Sequence, residues 1–246
     1  MLYTDLCIDV DFSGFTLILP SVAVGNVGQL ACDLLISSLD MKKIASLYSP
    51  AFIPVLGHNP YDLKSSSLSG SCELYESTEK NLIVLQLRSP IVFKYARKFL
   101  KAIVEKFKEK NLKDVIVLSS SYAHEKKHIQ TSPFRFAATD SCPYMKTITD
   151  LKWLEHESTQ SQHLQIFGGG FASILYEICK EKSLPCLILY KYCSEGDNIP
   201  DAYEMIQQLS FVLALFDGSP DLLSQIVQPV SWKLLFEFNV EELLWP

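Results

Sequence analysis

The sequence predicts an α/β fold of three layers, a mostly parallel or mixed sheet with helices on both faces. Two observations point there. Short apolar runs rich in β-branched residues alternate with longer runs of three-four apolar spacing, in the repeated order strand, helix, strand. The chain also has 246 residues at 48% hydrophobic content, enough apolar surface for one large core.

Taken in order, residues 15–19, continued by 22–24, read as a buried strand flanked by turn residues. Val27, Leu30, Ala31, Leu34 and Leu35 then fall on one face of a helix directed at the sheet. Further strands are expected at 44–48, 72–76 and 82–87. Ala96, Phe99, Leu100, Ile103, Val104 and Phe107 mark the clearest amphipathic helix, and DVIVLSSS (114–121) reads as a short buried strand opening into a polar loop. The alternation returns with Phe171, Ile174, Leu175, Ile178 and Cys179 on a helix and a strand at 185–192. A last long helix carries Ala202, Met205, Ile206, Leu209, Val212, Leu213 and Phe216. Segments 57–71 and 124–165 are polar or Ser-rich and read as surface excursions. With no long polar linker and no internal repeat, the expectation is one domain over 1–246 ending in a tail at about 240–246.

Composition narrows the function. A net charge of −6 lacks the basic face that neutralises phosphates, so nucleic acid is not an expected partner. Lys94, Arg97, Lys98, Lys101, Lys106 and Lys108 cluster opposite a helix's apolar stripe, as a solvated face does. The seven cysteines form no CxxC and fall mostly in apolar patterns, which suits reduced buried thiols in the cytoplasm or nucleus. MLYTDLCIDVD lacks a signal's basic start and FVLALF is far too short to span a bilayer, so a soluble intracellular protein is expected. A mean hydropathy of +0.14 fits either a large core or a permanent interface.

Candidate chemistry gathers at glycines. Gly25 and Gly28 join a strand to a helix, the context of a dinucleotide loop, but with GxxG spacing where that loop needs GxGxxG. They read as a tight corner, with a phosphate cradle as the alternative. Gly168, Gly169 and Gly170 precede a helix whose first amides could hold an anion, or else let backbone pass close to a neighbour. Ser119, Ser120 and Ser121 follow a strand but lack the glycines of a nucleophile elbow, and read as a hydrated turn. His58, His124, His128, His156 and His163 have no paired spacing, so no metal is expected. Glu195, Asp197 and Asp201 could form a carboxylate cluster. They read better as helix-start chemistry, with Asp197 or Asn198 capping a helix begun by Ile199 and Pro200. EELLWP puts two acids before Leu243, Leu244 and Trp245, an apolar tail that folds back on its own core or enters a pocket elsewhere.

FTLILPSVAVGNVGQLACDLLISSL, VLGHNPY, LQLRSP, VIVLSSS, SPFRF, FGGG, SEGDNIPDA and SWKLLF together, in this order, resemble the proteasome α-ring assembly chaperone family over nearly the whole chain, most thinly at 122–165. The resemblance implies a nucleoside-phosphorylase-like fold without catalytic residues or cofactor. It further implies an obligate heterodimer with proteasome assembly chaperone 1, in the cytoplasm and nucleus. Such a heterodimer promotes formation of the proteasome α ring from α subunits and prevents off-pathway α-ring pairing. Family members commonly end in a hydrophobic-aromatic-any tail that docks on the α ring, and Leu244, Trp245 and Pro246 match it, with Trp where Tyr is usual. The competing expectation is a nucleoside phosphorylase or hydrolase-like enzyme that uses the glycine corners for an anion and Ser119 to Ser121 for a sugar.

Overall fold

The computed structural model describes residues 3–4, 10–157, 163–216 and 222–237. In chain order the elements are β1 (Tyr3–Thr4), β2 (Thr16–Pro20), α1 (Val27–Ser38), β3 (Lys42–Tyr48), β4 (Leu56–His58), β5 (Leu68–Gly70), β6 (Cys72–Ser77), β7 (Leu82–Leu87) and α2 (Phe93–Glu109). There follow β8 (Asp114–Tyr122), β9 (Phe134–Ala138), α3 (Met145–Asp150), α4 (Ala172–Glu181), β10 (Cys186–Cys193), α5 (Ile199–Leu213) and α6 (Val230–Glu237). The mixed sheet runs β1-β3-β6-β7-β2-β8-β10-β9, and β4 and β5 form a separate hairpin. Its centre, β7-β2-β8-β10, is parallel, while β6, β3 and β9 pair antiparallel at the flanks. This is the three-layer mixed arrangement the sequence predicts.

The layering follows from the period of two along the central strands. Leu17, Leu19, Val115, Val117 and Ile188 turn to one face and join Phe99, Leu100 and Ile103 of α2 and Leu175 and Ile178 of α4. Ile18, Ile116, Leu118, Leu187 and Leu189 turn to the other and meet Ala31 and Leu35 of α1 and Met205 and Ile206 of α5. Because both faces are covered, the strands carry unbroken apolar runs.

Four local expectations change. Residues 22–24 are not strand: Gly25 (φ 64) and Asn26 (φ 52) are left-handed, which ends the extended chain in a 3-10 turn at Val24–Asn26 before α1. Ser119, Ser120 and Ser121 are no hydrated turn but the buried end of β8, each hydroxyl satisfied by a carbonyl. The 124–165 excursion contains α3 and the edge strand β9. There Arg135, though buried, donates to the carbonyls of Ser132 and Phe134 and lies over the Tyr192 ring. The last predicted helix stops at Leu213, short of Phe216, because Ala214 (φ 47) turns left-handed; the short α6 follows it.

Candidate functional site

Open sheets of this kind hold ligands beyond the carboxyl ends of the parallel strands. Here the ends of β2, β8 and β10 meet three connections: the corner after β2, the segment 166–171 before α4, and the SEGDNIPDA turn before α5. Sequence reasoning joined its glycine and serine candidates only in the competing enzyme reading, and the structure brings them into one cluster.

Backbone and hydroxyl groups fill that crevice. Ser21 Oγ donates to Gly169 O (2.7 Å) and accepts from Phe171 N–H (2.8 Å). Ser119 Oγ donates to the same Gly169 carbonyl (3.1 Å), Ser121 Oγ to Phe167 O (2.8 Å), and Ser120 Oγ to Val24 O. Val24 N–H reaches back to Gly168 O (3.1 Å). The two glycine corners are thus hydrogen-bonded to each other. Gly170 (φ 61) sits so tightly that a Cβ would run into the Val22 carbonyl and lie 2.7 Å from Ser21 Oγ. Gly28 has ordinary helical backbone, but its missing Cβ lets α1 rest on the Leu118 carbonyl of β8. Two of the amides at this helix start are already used, Phe171 N–H by Ser21 and Ala172 N–H by Gly169 O. Where a phosphate cradle was the alternative, the geometry is that of a close backbone crossing.

SEGDNIPDA supplies helix-start chemistry. Ile199 N–H donates to Asp197 Oδ1 (3.1 Å), while Asn198 Nδ2 donates to Ser194 O (2.9 Å) and Asp201 Oδ2 (3.0 Å). Asn198 Oδ1 is buried without a partner and faces the side of Gly25 where other residues carry Cβ. The partner that sequence reasoning missed is Lys191 on β10. It is buried, with Nζ 2.7 Å from Asp201 Oδ1 and 2.8 Å from Glu204 Oε2. Burial alone would lower its pKa, and these two carboxylates more than offset that and raise it. No signal short of the sheet register brings Lys191 to them.

Beside the crevice His156 Nδ1 hydrogen-bonds the hydroxyl of Tyr190 (2.7 Å), and burial lowers the histidine's pKa. The hollow there, about 40 Å³ between Ser121, His156 and Phe167, holds little more than a water. Among the described residues no three or more His, Cys, Asp or Glu side chains converge as a metal would need, and no helix is long and apolar enough to cross a membrane. The six described cysteines are buried free thiols.

A second candidate lies beside the end of β3. A cluster of ionised and hydroxyl groups ties the β4–β5 loop to the sheet. Arg88 Nη2 lies 3.0 Å from Asp33 Oδ1 of α1, Tyr61 OH donates to that oxygen (2.5 Å), and Gln86 Nε2 donates to it as well (2.7 Å). Glu73, fully buried on β6, pairs with Lys43 and accepts from Ser69 Oγ (2.5 Å) and Tyr75 OH (2.8 Å). Burial raises the Glu73 carboxyl, but the bonds from Lys43, Ser69 and Tyr75 outweigh it and hold the group below the ordinary range. The loop so fixed walls an open apolar groove of about 690 Å³ against the end of β3, with Leu56, Leu68 and Tyr48 exposed along it. The predicted tail residues Leu244, Trp245 and Pro246 lie outside the described residues.

The model of the PAC2 family matches residues 17–219. A Danio rerio protein named Proteasome assembly chaperone 2 is 36% identical over 249 residues, covering 95% of this chain and 96% of that one. The Homo sapiens protein of the same name is 36% identical over 92% of this chain and 93% of its own. Among solved structures, Pyrococcus furiosus PbaA, described as an archaeal homolog of proteasome-assembly chaperone, superimposes with a TM-score of 0.70 over 92% of this chain and 91% of that one. At 18% identity that likeness is one of fold.

Proposed function

The chain belongs to the PAC2 family, and from that premise we propose that it is a non-enzymatic proteasome assembly chaperone acting as an obligate heterodimer with proteasome assembly chaperone 1. The heterodimer gathers α subunits into the proteasome α ring and prevents off-pathway pairing of α rings, in cytoplasm and nucleus. Residues 244 to 246 serve as its docking tail on the ring. The observation that carries this reading is the end-to-end similarity, 36% over 95% of the chain, to a protein of that name. The crevice supports it: the place where a phosphorylase-like enzyme would hold its anion is occupied by the protein's own backbone and four serine hydroxyls.

Native affinity purification of the tagged full-length chain from its own cells, with identification of every co-purifying protein, tests the reading. Recovery of proteasome assembly chaperone 1 and α subunits without mature β subunits is expected; recovery of the chain alone overturns it. For the tail, Trp245→Ala should cut capture of α subunits while the heterodimer still forms. Loss of both would place Trp245 in a fold-bearing role.

A further inference from the structure

We propose that the solvent face of α2 is the docking site for an acidic segment of another protein. The inference goes beyond the assembly reading and does not rest on it. α2 carries Lys94, Arg97, Lys98, Lys101, Lys106 and Lys108 against Glu105 and Glu109, a net of +4 on one helix of a chain whose total is −6. Its apolar stripe, from Ala96 to Phe107, is buried, so the charges are held outward. Lys94, Lys98 and Lys101 recur at the three-four spacing and stack along about 10 Å of one line.

The neighbouring elements leave that line unanswered. Arg97 pairs with Glu181 of α4, and Lys108 donates to the carbonyl of Lys182, just past the end of α4. Glu105, next on the line, is held by Lys182 (2.5 Å) and meets Lys101 only through space. Lys94, Lys98 and Lys101 form no ion pair among the described residues. Like charges so spaced repel one another, a cost to the free helix that an acidic occupant turns into attraction.

The surroundings choose among anions. Phe93 is 85% exposed and Tyr95 37%, and they leave the helix on opposite flanks of Lys94. Lys94 Nζ sits 5.6 Å from the centre of the Tyr95 ring, and Lys98 lines a hollow of about 280 Å³ shared with Ser49, Pro50 and Tyr95. Aromatic rings and a hollow beside ammonium groups fit a polypeptide on which acids alternate with large apolar side chains. A phosphate backbone meets a poorer face. The helix's one arginine, the side chain whose fork matches phosphate, is engaged by Glu181, and the rest of the chain is net acidic. A nucleic acid and an anionic lipid surface are the competing occupants.

The test titrates the full-length chain against a fluorescein-labelled peptide, EEDFEELDEE with both ends blocked, followed by anisotropy. Saturable binding is expected, weakened about tenfold or more by the combined substitutions Lys94→Gln, Lys98→Gln and Lys101→Gln. The combination Lys42→Gln, Lys64→Gln and Lys146→Gln removes the same charge from exposed positions elsewhere and should change the affinity by less than about twofold. Carbodiimide coupling of the bound peptide, read by mass spectrometry, should join its carboxylates to the lysines of α2. Absence of binding, equal weakening in the two triple variants, or coupling spread over lysines throughout the chain overturns the proposal. Tighter binding of a short single-stranded DNA or of phosphatidylserine vesicles through the same three lysines assigns the face to phosphate and overturns it too. No proteasome component enters the assay, so failure of this docking face and failure of the assembly reading are told apart.

Discussion

Gly170 and Gly57 are the same residue in opposite surroundings. At Gly170 a left-handed backbone and the Val22 carbonyl both forbid a Cβ, whereas around Gly57 nothing lies within 4 Å of where one would stand. Gly170→Ala should therefore lower the unfolding free energy by about 3 kcal/mol or more, from the φ penalty plus the clash. Gly57→Ala should change it by no more than about 0.5 kcal/mol. Urea denaturation of the two variants side by side checks this, and equal effects would mean that the 166–171 segment does not cross the β2 corner as described. Ser21→Ala leaves Phe171 N–H buried without an acceptor and should cost about 2 kcal/mol in the same assay. Much of this was legible at the residue level: three consecutive glycines before a helix announce a close approach. The object approached was not, because Ser21 is 150 residues from Phe171 and no local pattern links them.

At the scale of elements, hydrophobic period made the central strands and the long helices readable in advance, since their apolar faces repeat without interruption. β4 and β5 escaped because three residues are too few for a period. β9 escaped because its second residue is Arg135, whose charge hides a buried strand from an apolar count. The clamp of Asp33, Arg88, Glu73 and Lys43 joins α1, β7's end, β6 and β3, and was equally invisible in sequence, as its members come from separated elements. Arg88→Leu should destabilise by about 3 kcal/mol, because it strands Asp33 in a largely buried site. Glu73 gives the clamp a pH signature. Its folded-state pKa is depressed, so its contribution is present above the unfolded value near ~4.3 and is lost as pH falls through the folded value. Stability measured from pH 6 down to pH 3 should fall less steeply in Glu73→Gln than in the parent; parallel curves would show that Glu73 is not held ionised by its partners.

The whole molecule keeps the plan of a ligand-binding sheet and closes the place where the ligand would sit. Millimolar phosphate or nucleoside should leave the melting temperature unchanged, because only a ligand that binds the folded state raises it; a reproducible upward shift would reopen the enzyme reading. The closure also dictates an order of events as the chain folds. The knot at the carboxyl ends requires Ser21, Ser119 and Gly169 in one place, with Ser21 N–H already on Leu118 O (2.8 Å). Contacts this distant along the chain are entropically late, whereas the turns of α2 need only near neighbours. During refolding the amides of Val24 and Phe171 should gain protection from pulsed hydrogen exchange after those of α2. The last act of folding is then to shut the crevice, and until that moment the exposed strand ends form the stretch on which a stalled chain is most open to aggregation.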